Sequence, residues 1–245
     1  MNTQSTSVAA IQTFMQRTFL WMSAALALSG TIAFAVFNTP ALMKAISSPW
    51  VFFTIFLAEL GLVIALSSAV RSFSYTRALT MFALFAALNG LTLSSIFAVY
   101  TMTSIVSTFF ITAALFLSMA LYGMVTKRDL TSLGSIASMF VWGLIIAMLV
   151  NMFLRSGAFD YVISIIGVCV FSALTAYDMQ KLLKLAEGVS TYQRSVFQDG
   201  EYLESGSDHA PIKSVAVLGA LTLYLDFINM FLFLLRFVGN NRRSN

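Results

Sequence analysis

Long apolar runs separated by short polar connectors set the pattern of this chain. About 20 apolar residues suffice for a helix to cross a bilayer, and the runs are of that length. Membrane helices are therefore expected at Phe19 to Phe37, Val51 to Val70, Ala78 to Tyr100, Ile105 to Val125, Leu133 to Leu154, Tyr161 to Leu183 and Val215 to Val238. Pro40 and Pro49 bracket the first connector and Pro211 precedes the last run, positions where proline suits the start of a helix. The one long hydrophilic stretch, Glu187 to His209, carries Asp199, Glu201, Glu204 and Asp208 among Ser, Gly and Tyr. It reads as a solvated loop inside a connector covering 184–214. The expected class is an all-α polytopic membrane protein, one transmembrane domain over 1–245.

Composition agrees with that class. The chain is 59% hydrophobic and 10% charged, against about 45–50% apolar and about 25% charged in soluble domains. The single Cys169 excludes an intramolecular disulfide and a cysteine-rich metal cluster. The net charge of +4 comes from scattered connectors and not from a basic block, so the expected partner is the lipid bilayer and not nucleic acid. Residues 1–17 are polar, without the basic start and cleavage site of a secretory signal, and are expected to stay on the cytoplasmic side.

In that orientation the cytoplasmic segments hold Arg17, Arg71, Arg77, Lys127, Arg128, Lys181, Lys184, Arg194 and Lys213. The opposite side holds the shorter set of Lys44, Arg155, Arg236, Arg242 and Arg243. The positive-inside rule then favours the N-terminus in the cytoplasm and the C-terminus outside, while the basic C-terminal tail leaves open a last segment that re-enters instead of crossing. The compact form favours a bacterial plasma (inner) membrane over an organelle. His209, the only histidine, lies in the hydrophilic loop without a cysteine, a serine elbow or a Glu-x-x-His context. No enzyme and no resident cofactor are expected.

Charges inside or at the edges of the apolar runs need a separate account: Glu59, Arg71, Asp178, Asp226 and Arg236. Each costs about 2.5–3.5 kcal/mol at the centre of a membrane helix, so it normally faces a protein interior or a wet cavity with a partner. Glu59 and Arg71 are about 18 Å apart along their helix, and Asp226 and Arg236 about 15 Å along theirs. Laid antiparallel, these two helices would set Glu59 opposite Arg236, as a structural charge pair, and Arg71 near Asp226; the alternative is that Arg71 and Arg236 only snorkel to the interfaces, as long basic side chains at helix ends do. Asn229 lies three residues past Asp226 and continues a polar stripe towards Arg236, where it is expected as interhelical hydrogen-bond glue.

Asp178, in Ala173-Leu174-Thr175-Ala176-Tyr177-Asp178-Met179-Gln180-Lys181, is either an interfacial carboxylate beside Lys181 or a partner for Asp226. In the second case the two cannot both ionise cheaply, and the pair keeps a proton that it loses at higher pH. Such a pair is a pH sensor and, once ionised, an oxygen site suited to calcium. Contact requires the sixth span to continue past Lys181, which Leu182, Leu183 and Leu185 permit, or the seventh to begin inside a vestibule.

Leu223-Tyr224-Leu225-Asp226-Phe227-Ile228-Asn229, ending in Leu234-Leu235-Arg236, with Tyr177-Asp178-Met179-Gln180 on the preceding span, resembles the transmembrane Bax inhibitor motif family in its bacterial form. The similarity covers essentially the whole chain. It implies seven transmembrane helices with the C-terminal helix central and the other six wrapped around it. It also implies a pH-dependent calcium leak gated by two aspartates, matched here by Asp178 and Asp226, with a latch arginine matched by Arg71. The family's glutamate of the second span and arginine of the seventh match Glu59 and Arg236. A second expectation from bacterial relatives is a regulator that binds a membrane protein such as a quality-control protease, through residues 1–16 or the Glu187 to His209 loop.

Overall fold

The structure, a computed structural model, describes the backbone of residues 3–68, 75–198 and 210–240, and the side chains of residue 9 and residues 11–66, 75–188 and 215–240. Arg71, most of the Glu187 to His209 stretch and the two arginines of the C-terminal tail lie outside those side chains, as does most of the expected partner-binding N-terminus. The described residues form eight helices and no strand.

Seven of these helices are long and apolar enough to cross a membrane: Ile11–Phe37, Pro49–Leu66, Tyr75–Val99, Met102–Val125, Thr131–Leu154, Gly157–Gly188 and Val215–Val238. They belong to α1 (Thr3–Phe37), α3 (Pro49–Ser68), α4 (Tyr75–Val99), α5 (Met102–Val125), α6 (Thr131–Leu154), α7 (Gly157–Gln198) and α8 (Ala210–Val238). The eighth helix, α2 (Pro40–Ile46), occupies the first connector. Thr39 is extended, with φ −113°, and Pro40 opens α2; Pro49 then opens α3. Proline is tolerated there because the first turn of a helix has no intrahelical use for its N–H.

Several boundaries differ from the sequence reading: α1 begins at Thr3, ahead of the expected Phe19, and α8 at Ala210, inside the expected 184–214 connector. The connector Asn38 to Ser48 contains a helix, and α7 runs to Gln198, so residues 187–198, expected as loop, are helical. Leu182, Leu183, Lys184, Leu185 and Glu187 are all good helix formers, and nothing in composition stops the helix at the edge of its apolar part.

The chain divides into two compact units, the first of Met1–Ala98 with Leu182–Tyr224, the second of Val99–Lys181 with Leu225–Asn245. The division passes through α7 and α8, each of which contributes to both. In the first unit Phe82, Ala86, Val217, Ala220 and Tyr224 are at most 1% exposed. Gly90 lets α4 approach α1 closely, since a Cβ there would lie 2.8 Å from the Ser29 carbonyl oxygen. In the second unit Phe116, Ala176, Met179, Met230 and Leu235 form the core, and Phe227 packs edge-on against Phe116.

The last span is 72% buried inside the protein, against 11% for the span of α3 and 17% for that of α6. Those two helices turn large apolar side chains outwards, among them Trp50, Phe53 and Ile64 on α3 and Met139, Trp142 and Ile146 on α6. So much exposed apolar surface suits a lipid solvent. The chain is a multi-pass membrane protein.

Candidate functional site

Within the second unit α7 and α8 run antiparallel. Tyr161 meets Phe237, Phe171 stacks on Phe233, Gly167 faces the same ring, and further along the carboxyls of Asp178 and Asp226 face each other. A carboxylate only accepts, so two of them bond to each other only with a proton between them. Asp226 is 4% exposed. Its Oδ2 has no hydrogen-bond partner, and an unmet buried polar group of this kind costs about 1–3 kcal/mol. Asp178 is less covered and feels the positive charge of Lys181, whose ammonium lies 5.8 Å from the centre of the Tyr177 ring.

Three features of the Ala173 to Lys181 segment place Asp178. Gly123 of α5 sits directly on the Ala176 backbone, and Gly134 of α6 sits on the Tyr177 ring; a side chain at either glycine would collide. Small residues let membrane helices approach in this way. The third is Gln180, which is 8% exposed. Its Oε1 accepts from the Leu130 N–H at 2.9 Å and its Nε2 donates to the Arg128 carbonyl at 2.8 Å.

The glutamine thus clamps the α5–α6 connector to the turn of α7 that carries Asp178. The sequence signalled it as part of a signature but gave it no role. Replacing Gln180 with leucine leaves both backbone groups unpaired. The expected loss is about 1–3 kcal/mol, read as a lower thermal unfolding temperature in detergent, with Gln180→Glu, which keeps the acceptor, falling between.

Other expected partners are exchanged. Arg236 pairs not with Glu59 but with Asp160, at 3.3 Å. Glu59 instead accepts from the Thr92 hydroxyl at 3.0 Å. Asn229 does not bridge helices through its amide; its Nδ2 donates to Leu225 of its own helix at 2.8 Å. The Arg236–Asp160 pair is 37% exposed on both sides and contributes about 0–1 kcal/mol. Asn151 also donates to Asp160, at 3.2 Å. Tyr100, between α4 and α5, is held above the ordinary tyrosine range mainly by burial; Arg236 opposes that shift and Asp160 adds to it.

The family model for the inhibitor of apoptosis-promoting Bax1 matches residues 11–243. The chain belongs to the Bax inhibitor family. Its similarity to individual members is nearly end to end. It is 43% identical over 235 residues to inner membrane protein YbhL of Escherichia coli (strain K12), covering 96% of this chain and 94% of that protein. A protein of Borreliella burgdorferi is 43% identical over 94% of this chain and 93% of its own length. One from Deinococcus radiodurans is 39% identical over 98% and 95%.

A further polar group, in the first unit, was not legible as a set. Tyr224 is fully buried, edge-on to Phe82 and Phe85. Its hydroxyl donates to Asn89 Oδ1 at 2.9 Å and lies 2.7 Å from Ser29 Oγ. Asn89 was the available signal, an amide in the middle of an apolar run.

Proposed function

We propose that the protein is a proton-regulated cation leak of a bacterial inner membrane, with calcium as the cargo and the Asp178–Asp226 pair as its gate. The observation that supports this reading is the juxtaposition of two carboxyls, one of them almost completely buried, on helices long and apolar enough to cross the membrane. With one proton between them the pair is a bridge that ties α7 to α8. Without it, two negative charges repel at close range in a poorly solvated place and the bridge opens.

The opened pair presents up to four oxygens, and Asp226 Oδ2 is without a protein partner even in the closed form. Calcium takes 6–8 oxygens, so two aspartates leave it partly hydrated. Among the described residues no group of three or more His, Cys, Asp or Glu side chains could hold a metal. A two-carboxylate site suits passage better than retention. The inner-membrane assignment is supported by the similarity to the Escherichia coli inner membrane protein YbhL. The N-terminus-in orientation rests on the distribution of basic residues, and the latch role of Arg71 on the family resemblance. A central position for α8 is supported by its burial, the highest of the seven spans.

The test is calcium entry into proteoliposomes of the full-length protein, followed with a trapped indicator from mildly acidic to mildly alkaline buffer. Entry is expected to rise with pH. Entry no faster than in protein-free vesicles at every pH would remove the leak from consideration.

A further inference from the structure

Asp178 owes its direction to a part of the chain that touches neither carboxyl. Gly123 and Gly134 set how closely α5 and α6 approach α7. Packing contact of this kind is non-directional, so it fixes distance well and rotation about the helix axis only loosely. Rotation is set by the Gln180 amide. It is joined on both sides, Oε1 to the Leu130 N–H at 2.9 Å and Nε2 to the Arg128 carbonyl at 2.8 Å, and hydrogen bonds are directional.

Gln180 follows Asp178 by two positions, so the two side chains leave α7 about 200° apart, on nearly opposite sides. Side-chain groups stand about 5–6 Å from a helix axis, and a rotation of about 30° therefore carries the Asp178 carboxyl about 3 Å. That is the full length of an O–H···O bond. Holding Gln180 keeps Asp178 in register with Asp226.

The connector that holds Gln180 is itself stiff. Between the end of α5 and the start of α6, Thr126 Oγ1 accepts from the Arg128 N–H at 3.3 Å. Asp129 Oδ1 accepts from the Thr131 N–H at 3.2 Å and from the Thr131 hydroxyl at 2.7 Å. Leu130 is buried, and its carbonyl accepts from the Gly134 N–H at 2.9 Å. These bonds present the Arg128 carbonyl and the Leu130 N–H at fixed places, while Lys127, Arg128 and Asp129 are exposed.

Charged groups around the pair are few. α5 and α6 contain none, and the last span adds only Arg236 to Asp226. α7 contributes Lys181, whose charge acts on Asp178, with Lys184 and Glu187 further on and Asp160 at its other end. The connector contributes Lys127, Arg128 and Asp129. Gln180 is neutral, so its hold on the pair is positional, and a neutral replacement isolates that effect from every one of these charges.

We propose that Gln180 is a positioning residue of the aspartate gate and that the exposed α5–α6 connector is its regulatory handle: a displacement of residues 126–130 turns α7 and changes how firmly the pair holds its proton. The inference rests on the reading of the pair as a shared-proton gate and not on calcium as the cargo. Two effects act together when the clamp is lost. Misaligned carboxyls share a proton less well, and a freer α7 lets two negative charges separate. Both favour the deprotonated pair, so the proton leaves at lower pH.

The experiment follows the proton itself. Infrared absorption of a protonated carboxyl, assigned to the pair by its absence from the Asp178→Asn, Asp226→Asn double variant, is titrated with pH in the full-length protein in detergent, beside calcium entry into proteoliposomes. Gln180→Met, which keeps the length and stays neutral, is expected to move the titration to lower pH by about one unit. This is the roughly tenfold effect of a residue that transmits coupling without touching the ligand. Calcium entry should shift with it. Thr126→Val and Asp129→Ala leave Gln180 in place and loosen only the connector; each should shift the titration the same way by less.

A Gln180→Met protein with a lowered unfolding temperature and an unshifted infrared titration overturns the proposal and leaves the clamp to the fold alone. Should Gln180→Met fail to fold, an unshifted titration in both connector variants is the overturning result. A pair without any titrating carboxyl band removes the gate and this inference with it. A shifted titration in a protein that passes no calcium at any pH would instead remove the leak and leave the role of Gln180 standing.

Discussion

Replacing Asp226 with asparagine is expected to abolish the pH dependence of calcium entry and to hold the flux at its low-pH level. The asparagine amide donates to Asp178 at any pH, so the bridge between α7 and α8 no longer needs a proton. In the unsubstituted protein the bridge exists only while the pair holds one. Each pH unit changes a one-proton equilibrium by up to about 1.4 kcal/mol, or tenfold. Flux through a gate of this kind therefore rises by up to about tenfold per pH unit until the proton is gone, and the variant stays flat.

Stability gives the same prediction a second readout. The folded pair binds a proton that exposed carboxylates of the unfolded chain have released at neutral pH. The folded state thus holds more protons than the unfolded one, and stability falls as pH rises through the loss of that proton. Thermal unfolding in detergent should show this decline in the unsubstituted protein and not in Asp226→Asn. Asp178→Asn should behave alike, with a smaller change because Asp178 is less covered and has Lys181 beside it. A variant whose flux still climbs with pH would move the sensor to other residues.

The apolar runs were legible because a bilayer imposes a length that sequence shows directly. Helix ends were less so. Lipid dictates where a helix must be apolar but not where it stops, and α7 continues through Lys184 and Glu187 on ordinary helix propensity. Asp226 was legible for the same reason as the runs, as a charge among apolar neighbours, and Leu182, Leu183 and Leu185 correctly allowed the α7 extension beyond Asp178.

Partner assignment failed where it used height along the helix alone. Spacing assigned Glu59 and Arg236 to one height, but it says nothing of which neighbour a helix face meets, and Thr92 and Asp160 are the groups they meet. Asn229 illustrates a competing local bond: an amide in a helix can satisfy itself on the preceding turn. The Gln180 clamp was invisible for a different reason. Its partners are backbone groups of Arg128 and Leu130, which no pattern of side chains announces.

Substituting alanine for Gly123 should destabilise the second unit by about 1–3 kcal/mol, the usual cost of overpacking, although it adds a single methyl group. That methyl would overlap the Ala176 carbonyl and its Cα. A flexible side chain could turn aside, but backbone cannot, so α5 and α7 must separate. Gly143 on α6 provides the control, with no atom within 4 Å of a Cβ built there; alanine at that position should be neutral or slightly stabilising through helix propensity. Unfolding temperatures of the two variants in the same detergent therefore move in different directions, or one moves alone. Ala176 lies two residues before Asp178, and any displacement of α7 there is felt at the aspartate pair. Gly123→Ala should accordingly lengthen the carboxyl–carboxyl contact and allow calcium entry at lower pH than in the unsubstituted protein. A destabilised Gly123→Ala whose flux keeps its original pH dependence would show that the glycine contact supports the fold without setting the gate.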